Sequence, residues 1–310
     1  MRLTFVVLLL IICGALGYSL YLLYDNLPHE PIKLIINSGE IKEELLQPDV
    51  IDKNRSVQFY SNLRFSELPV KYSFDSNCDS KKRESMMEAF EYLEGRTLLE
   101  FRESGDADLE ITCSELAPEP TIKNHFIAGE GGPVEIINGT KYSIILKAKI
   151  ALYREEKCES AHISVHELLH ALGFDHNNKP KSILYPTLEC DQIVDDYLID
   201  ELNRLYLIPS LPDLVINEAN ATKAGRYLSF NVEINNQGLN KAENVKLEIY
   251  DENAIVKEFE LNDISVGVSK ILTVENLKVN RNSEKIIFKV KSSNNELDED
   301  NNEIVFVPSG

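Results

Sequence analysis

Apolar and polar positions divide the chain into regions with different patterns. Residues 3–24 form a nearly unbroken apolar run without charges. From 67 to 208, alternating runs that are typical of strands are interspersed with segments in which apolar residues recur at helical spacing. Strands are expected at 70–74, 97–101 and 107–113, and helices at 84–93, 160–172 and 192–206. This mixture predicts one α+β domain. Within it, the Gly-rich stretch 129–133 is expected to be a loop, and Asn138-Gly139 suits a type I′ hairpin turn.

Beyond residue 208 the helical pattern is absent. The short segment 209–212 contains proline and has the composition of a linker. Alternating apolar runs follow, with Asn, Asp and Gly between them, so 213–308 is predicted to be a small all-β sandwich. On the other side of the α+β domain, residues 25–66 are polar with several prolines and are interpreted as a stalk or lead-in.

The apolar run at 3–24 has the length of a transmembrane helix. About 22 residues in a helix span about 33 Å, which matches the bilayer core. Arg2 precedes the run, whereas Asp25 and Glu30 follow it. The positive-inside rule therefore predicts a single-pass signal anchor in the cell membrane, with a cytoplasmic N-terminus and the rest of the chain outside. A cleaved signal peptide, and hence a secreted protein, is the alternative.

The charge balance limits the classes of partner. The 310 residues include 51 acidic and 32 basic side chains, which gives a formal charge of -19. Nucleic-acid binding needs a basic surface, and the longest basic run is Lys81-Lys82-Arg83. We therefore expect no nucleic-acid partner.

Four cysteines follow the apolar run, in a predicted compartment that allows disulfides. They can pair in three ways. Chain order favours Cys78 with Cys113 and Cys158 with Cys190, and the second bridge would close a loop of about 31 residues worth roughly 3–4 kcal/mol. A zinc knot is the alternative, but no two of these cysteines have the C-x2-C spacing that such sites use.

The segment HELLHALGFDH has the spacing of a metal site. His166 and His170 are one helical turn apart and point the same way, so their imidazoles can hold one cation. Gly173 permits a left-handed end to the helix, after which the chain can bring His176 to the same ion. Three imidazoles leave a fourth position for water, whose proton Glu167 can accept.

His162 offers an alternative ligand set, because it lies four residues before His166 and would share its helix face. Three ligands along a straight helix reach a single ion poorly. A packed or hydrogen-bonded His162 is therefore the preferred interpretation.

The same segment resembles the HExxHxxGxxH motif of the metzincin zinc endopeptidases. Ser182-Ile183-Leu184-Tyr185-Pro186 further resembles the SIMYP turn of the matrixin-like branch, with Leu184 in place of the methionine and Tyr185 directly after it. Leucine conserves the volume of methionine, so activity is expected to survive. The resemblance covers 67–208 and implies a twisted mixed sheet with an active-site helix and a C-terminal helix. It also implies one catalytic Zn²⁺ held by His166, His170 and His176, with Glu167 as general base.

The C-terminal region resembles the CARDB family of immunoglobulin-like modules. Asn236-Gln237-Gly238, residues 242–245 and the closing Asn- and acid-rich stretch 294–302 carry the resemblance. It implies a β-sandwich that binds a cell-surface ligand, docks substrate or acts as a spacer. The acidic run 298–300 could hold Ca²⁺, but a solvated turn is preferred because the ligand spacing of a known calcium loop is absent.

Together these observations predict a membrane-anchored, extracytoplasmic zinc endopeptidase. Its peptide or protein substrate is expected to lie along a strand edge within 133–153. The alternative is a surface adhesion or scaffold protein that retains a structural zinc ion and hydrolyses nothing.

Overall fold

The computed structural model describes residues 11–22, 33–40, 58–119, 126–139 and 141–308. Helix α1 covers 11–22, within the apolar run. No helix in the described ranges is long and apolar enough to cross a membrane. Both ends of the span predicted at 3–24 lie outside these ranges, as do parts of the predicted stalk.

A six-stranded sheet forms the centre of the first domain. Its strands are β2 (Leu63–Phe65), β3 (Val70–Phe74), β4 (Phe101–Glu103), β5 (Leu109–Cys113), β6 (Gly129–Asn138) and β7 (Ser143–Leu152). The order β2-β7-β5-β3-β4 is parallel throughout, and β6 pairs antiparallel with β7. β2 and β5 pair with successive parts of β7 and therefore share one side of it. β6 pairs along the whole length of β7 and lies on the other side. β6 is thus an edge strand, and no described strand pairs with its outer side.

The described part of this domain also contains three helices: α2 (Ser80–Glu94), α3 (His162–Ala171) and α4 (Asp196–Leu207). Every residue of α3 after His162 is buried, so this helix lies at the centre of the core. The Glu156 carboxylate accepts the Ile163 N–H at 2.9 Å and so satisfies one of the free donors at the start of α3. The Ser85 and Ser164 hydroxyls, 2.8 Å apart, join α2 to α3. The three predicted helices are confirmed, with bounds that differ by a few residues.

The start of the domain and its hairpin differ from the predictions. The domain begins before residue 67, because β2 pairs with β7 and Gln58 bridges to Phe174. The hairpin between β6 and β7 is present, but neither Asn138 nor Gly139 has a positive φ, so the predicted type I′ turn is wrong. That turn type needs two left-handed residues.

The Gly-rich stretch is also not a loop. Residues 129–133 form the first half of strand β6. The free sheet edge therefore runs along 129–138, whereas much of the predicted range 133–153 is β7, which has partners on both sides. Local composition suggested a loop because glycine is rare inside strands unless another backbone approaches closely.

The second domain is the predicted all-β sandwich. Its strands are β1 (Lys33–Glu40), β8 (Leu214–Ala224), β9 (Tyr227–Asn236), β10 (Ala242–Asp251), β11 (Ala254–Ile264), β12 (Val268–Lys278), β13 (Ile286–Lys291) and β14 (Glu303–Phe306). They form two four-stranded sheets, with orders β1-β12-β9-β8 and β11-β10-β13-β14. Alternate residues of β9, namely Leu228, Phe230, Val232 and Ile234, enter the core between the sheets, whereas residues 33–37 of β1 are exposed.

Strand β1 comes from the segment predicted to be a stalk. It pairs antiparallel with β12, from Lys33 opposite Glu275 to Glu40 opposite Val268. The stalk prediction is therefore wrong for this segment. Local alternation does not identify a partner strand that lies near the other end of the chain.

Candidate metal centre

Helix α3 and the turn that follows it bring the three predicted histidine ligands together. His166 and His170 lie one turn apart on α3, and the helix ends at Gly173, whose φ of 98° is left-handed. The chain then reverses and presents His176. The His170 Nε2 atom lies 3.0 Å from His166 Nε2 and 3.2 Å from His176 Nε2, and the remaining pair is 3.3 Å apart.

These separations fit a zinc ion. Tetrahedral zinc with Zn–N bonds of about 2.0–2.1 Å needs its nitrogen ligands about 3.3 Å apart. Among the described residues, the triad is the group of His, Cys, Asp or Glu side chains close enough together to hold a metal. The donor set of three imidazoles also suits zinc.

Backbone carbonyls orient two of the imidazoles. The Nδ1 atom of His166 lies 2.6 Å from Ile183 O, and that of His170 lies 2.6 Å from Phe174 O. A carbonyl can only accept, so each Nδ1 carries the proton and each Nε2 keeps its lone pair for a metal. Burial, with the proximity of His170, lowers the pKa of His166 to about 3, and burial also lowers the pKa of His170 and His176. The triad is therefore neutral at physiological pH, as metal ligands must be.

The turn containing Leu184 supports the ligands from behind. Ile183 supplies the carbonyl that binds His166, and Leu184, the next residue, is fully buried. The Ser182 hydroxyl accepts the Asn177 side-chain N–H at 2.7 Å and the Leu184 N–H at 3.2 Å, and it donates to Asp195. Leu184 thus occupies an apolar interior, as a methionine would.

Tyr185 follows on the same turn. It is half-buried, and its N–H donates to Ser182 O at 3.0 Å. The three imidazoles alone fit a tetrahedral ion with one open position, without a contribution from Tyr185.

Glu167 is buried beside the triad, with 4% of its surface exposed. Burial raises the pKa of Glu167 to about 8, and the negative charge of Glu130 contributes further. The Tyr153 hydroxyl donates a hydrogen bond of 2.7 Å to the Glu130 carboxylate. Sequence reasoning missed this Tyr153–Glu130 pair, since nothing in the spacing of the two residues indicates that β6 and β7 bring them together.

Glycines in β6 allow the edge strand to lie against Glu167. A Cβ atom at Gly131 would lie 2.1 Å from the Glu167 carbonyl oxygen, and one at Gly129 would lie 2.7 Å from Glu167 Cγ. Both glycines face the helix because alternate residues of a strand share a face. The sequence shows the Gly-rich composition, but only the structure shows that the glycines permit this close approach of β6 to α3.

Replacing Gly131 with alanine should therefore destabilise the first domain by about 1–3 kcal/mol, because the added methyl group overlaps the backbone of α3. Gly132→Ala is the matched control, since nothing lies within 4 Å of its added Cβ. We expect calorimetry to show a lower Tm for Gly131→Ala and an unchanged or slightly higher Tm for Gly132→Ala. Equal Tm values for the two variants would contradict the close packing of β6 on α3.

Both disulfides favoured by chain order are present. Cys78 bridges to Cys113, and Cys158 bridges to Cys190. The zinc-knot alternative is wrong, because all four thiols are consumed. The second bridge closes the segment that contains the whole histidine triad and its supporting turn.

His162 stays outside the triad, as preferred. Its Nε2 atom lies 3.1 Å from Gln192 O, and its Nδ1 atom lies 2.9 Å from the Ser160 hydroxyl. Gln192, which sequence reasoning did not single out, is buried and donates to the carbonyls of Thr187 and Pro180. Gln192 thus joins two parts of the loop that follows the candidate metal site.

The acidic run 298–300 lies at the surface of the sandwich. The Asp298 carboxylate accepts the Asp300 N–H at 3.0 Å and lies 3.8 Å from Lys141 Nζ. These contacts are those of a solvated turn. Calcium binding at this turn stays a prediction.

Family comparisons agree with this geometry. The Matrixin model matches residues 64–201, and the CARDB model matches 211–306. No curated protein matches the chain. Similar solved structures include a Pyrococcus furiosus CARDB domain in complex with di-metal ions (21% identity over 32% of this chain and 88% of that one, TM-score 0.27). Another is residues 272–376 of a Methanosarcina acetivorans protein (15% identity, 32% and 93% coverage, TM-score 0.28). The two family-model matches confirm both resemblances inferred from the sequence: residues 64–201 are similar to matrixins, and residues 211–306 are similar to CARDB domains.

Proposed function

We propose that this protein is a zinc-dependent endopeptidase, anchored in the membrane with its catalytic domain outside the cytoplasm. The observation that carries the proposal is the convergence of three neutral imidazole nitrogens beside the buried carboxylate of Glu167, on a matrixin-type domain. This arrangement provides one open metal position next to a carboxylate, which peptide hydrolysis requires.

His166, His170 and His176 would hold the ion. When bound, zinc supplies Lewis acidity and a water molecule that is activated near neutral pH. Glu167, which follows the first ligand on α3, would accept the proton of the attacking water and pass it to the leaving amine. The positive charge of a bound ion would lower the raised pKa of Glu167 and so favour the carboxylate form that this role requires. The Ile183 and Phe174 carbonyls keep two of the imidazoles in the ligating tautomer throughout.

Strand β6 would bind the substrate. Its outer edge has no partner among the described strands, so an extended peptide can add to the sheet by main-chain hydrogen bonds. The same strand lies against Glu167 through Gly129 and Gly131. A peptide paired with β6 is therefore held next to the catalytic carboxylate.

The proposed location is supported by the apolar run at 3–24 and by the two disulfides, which form in oxidising compartments. Cleavage after the apolar run would give a secreted enzyme with the same chemistry.

The test uses the full chain, purified in detergent and loaded with zinc, incubated with a denatured-protein or peptide library. We expect cleavage that stops when a chelator removes zinc and returns when zinc is restored. One zinc ion per chain without cleavage of any peptide would favour the adhesion or scaffold alternative.

A further inference from the structure

The CARDB domain contacts the matrixin-type domain at the turn of the β6–β7 hairpin. The Lys141 Nζ atom, from this turn, lies 3.1 Å from an Asp213 carboxylate oxygen. Asp213 is fully buried, and its other carboxylate oxygen accepts the Asn301 side-chain N–H at 3.0 Å. A buried carboxylate is costly without a compensating cation, and Lys141 of the other domain supplies one.

An apolar contact lies beside this ion pair. Ile137, near the end of β6, packs on Gly267 in the turn between β11 and β12. A Cβ atom at Gly267 would lie 2.6 Å from Ile137 Cγ2, and the φ of Gly267 is +72°. Only glycine therefore combines this backbone conformation with so close an approach.

The connecting segment 209–212 is packed on the sandwich and is not a free tether. The Leu239 N–H donates to Leu211 O, and the Leu297 N–H donates to Pro212 O, each at 2.8 Å. A Cβ atom at Gly238 would lie 2.5 Å from the Pro212 carbonyl carbon.

The matrixin-type domain holds the chain just before this segment. The buried guanidinium of Arg64 donates to Ile208 O at 2.8 Å and to Leu205 O, and it stacks over the Tyr206 ring at 4.5 Å. The end of α4 and the start of the sandwich are thus both fixed, which restricts how the domains can move relative to each other.

We propose that the CARDB domain is a fixed support for the edge strand β6. It holds the turn end of the hairpin through Lys141 and Ile137, while the glycines at the other end of β6 pack against Glu167. An edge strand paired on one side only opens more readily than an interior strand. Support at the turn keeps the edge ordered for an incoming peptide, so Lys141 and Ile137 are positioning residues for the substrate-binding edge. The role of this support in peptide binding rests on the proposed function, whereas the contact between the two domains does not.

Hydrogen exchange on the full chain tests the docking. In Lys141→Met we expect the amides of 136–143 to exchange roughly tenfold faster than in the native protein, because the ion pair with buried Asp213 is lost. Ile137→Ala, which removes the contact with Gly267, should accelerate exchange at the same amides. Lys246→Met is the matched control: it removes an exposed ion pair with Glu260, 2.8 Å long, within the sandwich, and should leave the hairpin unchanged. Lys141→Arg keeps the charge and should restore most of the protection.

Peptide kinetics on the same variants test the consequence. We expect Lys141→Met to raise KM several-fold while kcat changes less than twofold, because the metal site is untouched. The docking would be overturned if the amides of 136–143 exchanged at the same rate in Lys141→Met and Ile137→Ala as in Lys246→Met. Faster exchange with an unchanged KM would overturn the role in substrate binding. Faster hairpin exchange in these two variants, together with a native protein that cleaves no peptide, would support the docking and count against the proposed function alone.

Discussion

Glu167→Gln should abolish peptide hydrolysis while one zinc ion per chain is retained. The amide cannot accept a proton from the attacking water, and loss of a general base costs about 10²- to 10⁴-fold in rate. Metal binding should survive, because Glu167 is not one of the three converging ligands. Zinc content and peptide turnover measured on the same preparation check this prediction.

The side chain is buried, so the control must separate chemistry from folding. Glutamine has nearly the volume of glutamate and needs no charge compensation, so the fold should be retained. Glu159→Gln, an exposed carboxylate shortly before α3, is the matched variant and should keep native turnover. Turnover by Glu167→Gln within tenfold of the native rate would eliminate Glu167 as the base.

His170→Ala should weaken zinc binding by roughly 100-fold or more, because it removes one of three protein ligands and total zinc affinities are of order 10–16 kcal/mol. His170 is central to the triad, since its Nε2 atom lies within 3.2 Å of the same atom in both other ligands. Competition with a chelator of known affinity measures the change, and hydrolysis should be lost in parallel.

His162→Ala is the matched control for this experiment. It removes an imidazole from the same helix, but one that hydrogen-bonds Gln192 O and lies outside the triad. Its zinc affinity should equal that of the native protein. A comparable loss in both variants would mean that His162 belongs to the ligand set after all.

Much of the candidate metal site could be predicted from the sequence. His166 and His170 lie one turn apart on any regular helix, and Gly173 marks the place where that helix can end. The pairing of four cysteines could be ranked by chain order but not decided, because three connectivities are possible from sequence alone. The structure contains the pairing that chain order ranked first.

The sequence did not predict which backbone carbonyls orient the two imidazoles. Phe174 O is local to the helix end, but Ile183 O reaches His166 only because the Ser182 hydroxyl and its partners fold the turn back behind α3. A hydrogen bond between residues 17 positions apart depends on that turn.

Sequence by itself indicated the three candidate ligands, the adjacent candidate base and the class of each domain, because helical spacing and strand alternation are local properties of the chain. Tertiary structure alone decided that the Gly-rich stretch is an edge strand pressed on α3, that β1 pairs with β12, and that the sandwich docks on the hairpin turn. These features join residues that are distant in the chain, and their energies come from close packing and buried charge that no local pattern encodes.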